Sequence, residues 1–116
     1  MAIKKITAII DEFQLEAVEK VLDSHGVCGF TAQSIQGRGD YCHNCSRNHL
    51  VNQVKIELYT EERLVQQITR LILHTADLGE ESEGLVAITS VDELFWVNGE
   101  RHAAEDEFNY FEVEHE

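Results

Sequence analysis

The spacing of apolar positions changes several times along the chain, and each change marks an element. Residues 3–10, Ile-Lys-Lys-Ile-Thr-Ala-Ile-Ile, are β-branched and bounded by Asp11, which predicts a strand. From Gln14 to His25 the apolar residues Leu15, Val18, Val21 and Leu22 recur at helical spacing, and Gly26 is placed to stop that helix in a left-handed conformation. Phe30 to Ile35 reads as a second strand, and a loop rich in Gly, Asn, Ser and His follows from Gln36 to about Leu50. Val54, Ile56 and Leu58 alternate with Lys55, Glu57 and Tyr59, the pattern of a third strand with one face on a core. Thr60 is positioned as the N-cap of a second helix, with Glu61 and Glu62 at its positive end. Leu64, Val65, Ile68, Leu71 and Ile72 form that helix's apolar stripe. A turn-rich segment from Gly79 to Gly84 leads into a fourth strand, Leu85 to Ile88, and Asn98-Gly99 marks a tight turn after Phe95-Trp96-Val97. The order is β-α-β-β-α-β, which predicts an α+β, ferredoxin-like domain.

Composition narrows the function classes. The chain has 116 residues, no Pro, 43% hydrophobic residues and a formal net charge of −13. That length and apolar content suit one compact domain, read as residues 1–100, with an acidic tail at 101–116. The charge excludes nucleic acid and anionic membrane surfaces as partners, because a phosphate backbone rewards basic clusters and only Lys4-Lys5 and scattered Arg are present. No apolar run approaches the roughly 18 residues of a membrane span, so direct membrane insertion is not expected. Asp11 and Glu12 come too early for a signal peptide, and three Cys do not make a disulfide framework, so the expected location is cytoplasmic.

Fold class does not fix function, but the residues go further. Ile3-Lys4-Lys5-Ile6-Thr7-Ala8-Ile9-Ile10, Phe13 to Val18, Gly26-Val27-Cys28-Gly29-Phe30-Thr31, Gly37-Arg38-Gly39, Val54 to Leu58, and Thr75-Ala76 followed by Gly79 and Gly84 occur in one order over residues 3 to 99. In that order and spacing the chain resembles the PII signal-transduction family, as a divergent PII-like member rather than a standard nitrogen-regulatory one. The resemblance implies a homotrimer, adenine nucleotide in the clefts between subunits, and a T-loop, here at about residues 37–52, that acts on a partner protein. It places Gly29, Thr31, Gly37, Gly39, Glu57 and Gly84 around the nucleotide. Glycines let backbone approach a ligand, and a carboxylate can read a base or ribose edge. On the residues alone, turn glycines and a solvent-facing Glu57 are the simpler reading.

The phosphate end departs from the family pattern. Glu80 and Leu85 stand at its B-loop lysine positions, Trp96 and Asn98 at its two arginines after the fourth strand, and Asp40 at a basic T-loop position. Glu80, Glu81 and Glu83 repel a triphosphate, so AMP or ADP, a different small effector, or no nucleotide at all is expected rather than ATP. Arg101 is the one nearby cation in the sequence placed to compensate.

The loop is the second departure, being short and without a tip tyrosine for nucleotidylation. It carries Tyr41-Cys42-His43-Asn44-Cys45-Ser46-Arg47-Asn48-His49. Cys42 and Cys45 can grip one soft ion, Zn or Cu, with His43 or His49 as a further ligand. The same pair can cycle between dithiol and disulfide, or remain two unreacted thiols. Cys28 reads as a small buried residue, His25 and His74 as helix-end cations, and Trp96 as core or subunit interface. No nucleophile with a base, no P-loop and no placed carboxylate pair emerges, so no enzyme activity is expected. The leading expectation is a regulator that senses a small effector, an adenine nucleotide with or without bicarbonate. Its partner would be a membrane transporter or its associated protein, with inorganic-carbon uptake favoured. The alternative is a metal-binding trimer for heavy-metal sensing or divalent-ion tolerance, using the Cys-x-x-Cys loop.

Overall fold

The computed structural model describes residues 2–27, 29–37, 51–79 and 84–108. Within them the order is β1 (Ile3–Asp11), α1 (Leu15–Ser24), β2 (Thr31–Gly37), β3 (Val51–Glu61), α2 (Val65–Ala76), β4 (Leu85–Val91), β5 (Phe95–Trp96) and β6 (Arg101–His102). The first four strands form one antiparallel sheet in the order β2-β3-β1-β4, and β5 pairs with β6 in a separate hairpin. This is the ferredoxin-like arrangement that the sequence order predicts.

Alternation along each strand decides which face is covered. Ile6, Ala8 and Ile10 of β1 and Val54, Ile56 and Leu58 of β3 meet Val18 and Leu22 of α1 and Leu64, Ile68 and Ile72 of the α2 segment in one buried cluster. Both helices therefore lie on one side of the sheet. The opposite face, with Lys5, Thr7 and Ile9 on β1, Lys55, Glu57 and Tyr59 on β3, and Thr31, Gln33 and Ile35 on β2, has no second layer among the described residues except at the Ile3–Tyr59 end, where Ala103 and Phe108 pack.

Helix 1 ends as expected: Gly26 takes φ 85°, and the Val27 N–H donates to the Leu22 carbonyl at 2.9 Å. His25 sits at the same C-terminus, its Nδ1–H donating to the Val21 carbonyl at 2.9 Å. Thr60 is a correction, being the penultimate residue of β3 rather than a helix cap. It is fully buried, and its hydroxyl lies 3.3 Å from the Phe108 carbonyl. A 3-10 turn at Glu62–Leu64 separates β3 from α2 and shifts the helix start past the predicted cap. β2 and β4 also run beyond their predicted ends, to Gly37 and Val91, because pairing with β3 and β1 carries polar residues such as Gln36 and Ser90 along.

Residues 101–108 fold back on the domain. Ala103 and Phe108 are buried with Ile3, against Tyr59, Val91 and Leu94, and the Ala103 N–H donates to the Leu94 carbonyl at 2.8 Å. No described helix is long and apolar enough to cross a membrane.

Candidate effector site

The residues singled out in the sequence fall into two groups on this scaffold. Thr31 and Glu57 are direct partners in the β2–β3 register, and Thr7 stands opposite Glu57 from β1. All three project from the uncovered face. Lys5 Nζ lies 3.7 Å from Glu57 Oε2 there, both side chains being about one-third exposed. An exposed pair of this kind adds well under ~1 kcal/mol, so the arrangement places charge rather than holding the fold. Gly29, just before β2, is exposed; a Cβ on it would meet nothing within 4 Å, and its φ is ordinary. The folded chain has no need of glycine at that position.

The second group lies at the other end of β2, about 20 Å from Thr31 along the strand at some 3.3 Å per residue. Gly37 pairs with Val51 at the mouth of the loop, and a Cβ there would crowd the Gln53 Oε1 at 3.2 Å. Gln53 itself was not a sequence candidate. It is buried, and its Nε2 has no hydrogen-bond partner among the described residues. Its position out of phase with Val54 put it on the uncovered face, where its register partners Ile35 and Asp11 flank it, a neighbourhood that local pattern does not reveal.

Gly84 lies on the other edge of the sheet, entering β4 beside Ile9 and Ile10, and here the fold does require glycine. Its φ is +130°, and a Cβ would stand 2.0 Å from the Ile9 carbonyl oxygen. Beside it a groove of about 360 Å³ opens between α2 and the β1–β4 edge, walled by Ile9, Ile72, Leu73, Leu85 and Val86 with Asp77 as its polar group. That volume is at the lower end for a small-molecule pocket. Gly39, Cys42, His43, Cys45 and His49, like Cys28 and Glu80 to Glu83, lie outside the described residues. Among the described residues no cluster of His, Cys, Asp and Glu is arranged to hold a metal.

The two positions where arginine was expected from the resemblance take part in a different structure. Trp96 is exposed rather than core, because β5 is a two-residue strand projecting from the main sheet; its ring stacks on Phe108 with centroids 5.7 Å apart. Asn98 opens the turn to β6, where Gly99 has φ 83°. Arg101 is committed to Glu107, with its Nη2 2.9 Å from Oε2 and Nη1 3.4 Å from Oε1. Glu107 Oε1 also accepts from Trp96 Nε1 at 2.9 Å and from the Ala104 N–H at 2.7 Å. Hydrogen bonds from Arg101 first, then from Ala104 and Trp96, hold the Glu107 carboxyl down at about 2.

The sign of that shift fixes a pH response. A carboxylate bound more tightly in the folded state stabilises above its ordinary pKa, and that stabilisation is lost as pH falls through the folded value. The Arg101–Glu107–Trp96 contacts are therefore expected to hold at neutral pH and to be released between about 4.5 and about 2. Emission from Trp96, the one tryptophan of the chain, should follow that release, and Glu107→Gln should abolish the transition.

Comparison with known proteins gives the context for this geometry. A family model described as "Nitrogen regulatory protein P-II" matches residues 3–101. The Nitrogen regulatory protein P-II of Porphyra purpurea is 31% identical over 98 residues, covering 78% of this chain and 88% of the relative. The Nitrogen regulatory protein P-II 2 of Methanothermobacter thermautotrophicus is also 31% identical over 98 residues, covering 78% and 85%. Among solved structures, that of Arabidopsis thaliana PII bound to citrate superposes with a TM-score of 0.75 at 22% identity, covering 88% of this chain and 89% of that one. Proteins of this kind are signal transducers rather than enzymes. A profile spanning the whole sheet and both helices, relatives above 30% identity and the same fold agree, and the chain belongs to the P-II family.

Proposed function

We propose that this protein is a P-II-type regulator that assembles as a homotrimer through its uncovered sheet faces and senses a small effector in the clefts between copies. The observation that carries the reading is the uncovered face itself, with Thr31 and Glu57 in register on it, Gly37 at the far end of β2 and Gly84 entering β4 on the opposite sheet edge. One chain holds Thr31 and Gly37 about 20 Å apart along β2. A neighbour packed face to face can bring its own Gly29 and Thr31 to the Gly37 of the first. The Gly29 backbone, open on its own chain, is then available to that contact. Three such sheets also bury one another's open surface, which closed rotational symmetry permits.

The effector is an adenine nucleotide, AMP or ADP in preference to ATP. Three glutamates lie between Gly79 and Gly84. Arg101, the cation nearest in sequence to the lost arginine positions, is already paired with Glu107. Each added phosphate charge meets repulsion rather than a partner. Bicarbonate is a second small anion for the same cleft. The segment at about 37–52 presents the regulatory loop to a membrane transporter or its associated protein, inorganic-carbon uptake being one such system, and Cys42 and Cys45 set its shape. Isothermal titration without Mg²⁺ tests the nucleotide order. AMP or ADP should bind at least about tenfold tighter than ATP, a difference of about 1.4 kcal/mol, and ATP binding tightest would overturn it.

A further inference from the structure

We propose that Arg101, the Trp96 indole N–H and the Ala104 backbone N–H form an oxyanion site that the chain fills from within, Glu107 being a tethered occupant that a small phosphate anion displaces. The three donors come from β6, β5 and the turn that follows, yet they converge on one carboxylate. Both oxygens are used: Oε2 by the guanidinium, Oε1 by the indole, the amide and the second arm of the guanidinium. A planar fork beside two fixed N–H groups matches two oxygens on one centre, the geometry shared by carboxylate and phosphate. The donors are also braced independently of their occupant. Arg101 Nη1 lies 3.4 Å from the His102 carbonyl, its guanidinium carbon sits 6.0 Å from the Trp96 ring centre, and the Ala103 N–H anchors the strand to Leu94.

The site is accessible. The Arg101 side chain is 56% exposed and that of Glu107 30%. The adjoining Phe108 is buried and keeps the turn docked, while the Glu107 side chain itself is part-exposed, so a competing anion has to exceed the effective concentration of a carboxylate on a short tether. Glu105 and Asp106 belong to the same turn. They add negative charge that a competing anion must overcome as the Glu107 side chain swings out. Phosphate, carrying more charge than a carboxylate near neutral pH, gains most from the released guanidinium. The proposal does not depend on the cleft described above, since every group in it lies within residues 96–107 of one chain.

The test uses the full chain and Trp96 emission, titrating inorganic phosphate at constant ionic strength, with acetate as a parallel arm. Glu107→Ala should give a saturable change with phosphate, the wild type should require at least tenfold more, and Arg101→Gln added to Glu107→Ala should abolish the response. Glu107→Gln, which keeps acceptors for the indole and amide but withdraws the charge from Arg101, should fall between. Acetate should act more weakly than phosphate; a stronger acetate response would contradict the phosphate assignment. A folded Glu107→Ala protein without saturation, equal midpoints in variant and wild type, or a response that survives Arg101→Gln would each overturn the site. So would failure of both Glu107 variants to fold, because the carboxylate would then be a structural brace and not a displaceable ligand.

Discussion

Gly84→Val is expected to destabilise the protein by about 3 kcal/mol or more, the largest effect of any single change away from the helix–sheet core. Two costs combine. A φ of +130° is foreign to side-chain-bearing residues, and holding one there costs of order 1–3 kcal/mol. A Cβ at 2.0 Å from the Ile9 carbonyl oxygen and 3.1 Å from its carbon presses on the backbone of a central strand, which cannot yield as a flexible side chain would. Overpacking of that kind adds roughly 1–3 kcal/mol, a large share of the 5–15 kcal/mol or so that holds a small domain. Urea denaturation reads the loss as a lower midpoint at unchanged slope. Gly29→Ala is the matched control: with open space and an ordinary φ it should stay within about 0.5 kcal/mol of wild type. Equal stability of the two variants would mean that β4 enters the sheet differently.

Ala87→Glu should break the assembly while leaving the fold intact. Ala87 is exposed on β4, directly opposite Thr7 in the register, and so projects from the uncovered face. In an isolated chain its replacement is a surface change within about 0.5 kcal/mol. Between packed sheets a carboxylate is buried without a partner, and an uncompensated charge of that kind costs about 3–5 kcal/mol, a loss in association of more than about a hundredfold. Circular dichroism should be unchanged, sedimentation should show dissociation, and AMP binding should be lost with the assembly. A variant that remains assembled and binds AMP would place the interface elsewhere.

Much of this fold is written in local periodicity, and the exceptions have physical causes. β1, β3 and the two helices were legible because each presents one apolar face at a fixed spacing, and Gly26 could be read as a stop because glycine readily adopts a positive φ. Thr60 was misread because Thr followed by two Glu satisfies helix-start chemistry, whereas what places Thr60 in the sheet is its pairing with Lys4 of β1, distant in the chain. The C-terminal turn was hidden for the same reason. Its interleaved Phe108, Tyr110 and Phe111 suggest a segment packed on a neighbour, and its acidic composition a solvated tail as the alternative, but only the folded chain brings Trp96, Arg101 and Glu107 together. Of the candidate site, the pairing of Thr31 with Glu57 follows from strand register, while the buried amide of Gln53 and the backbone approach at Gly84 depend on neighbouring strands.

The central claim, that the uncovered sheet face closes against two other copies and that the effector binds between them, is tested most directly by sedimentation velocity at micromolar concentration with and without AMP. The account predicts a single species of three chains in both conditions, with AMP absorbance moving with that boundary. A monomer that carries AMP by itself would contradict it.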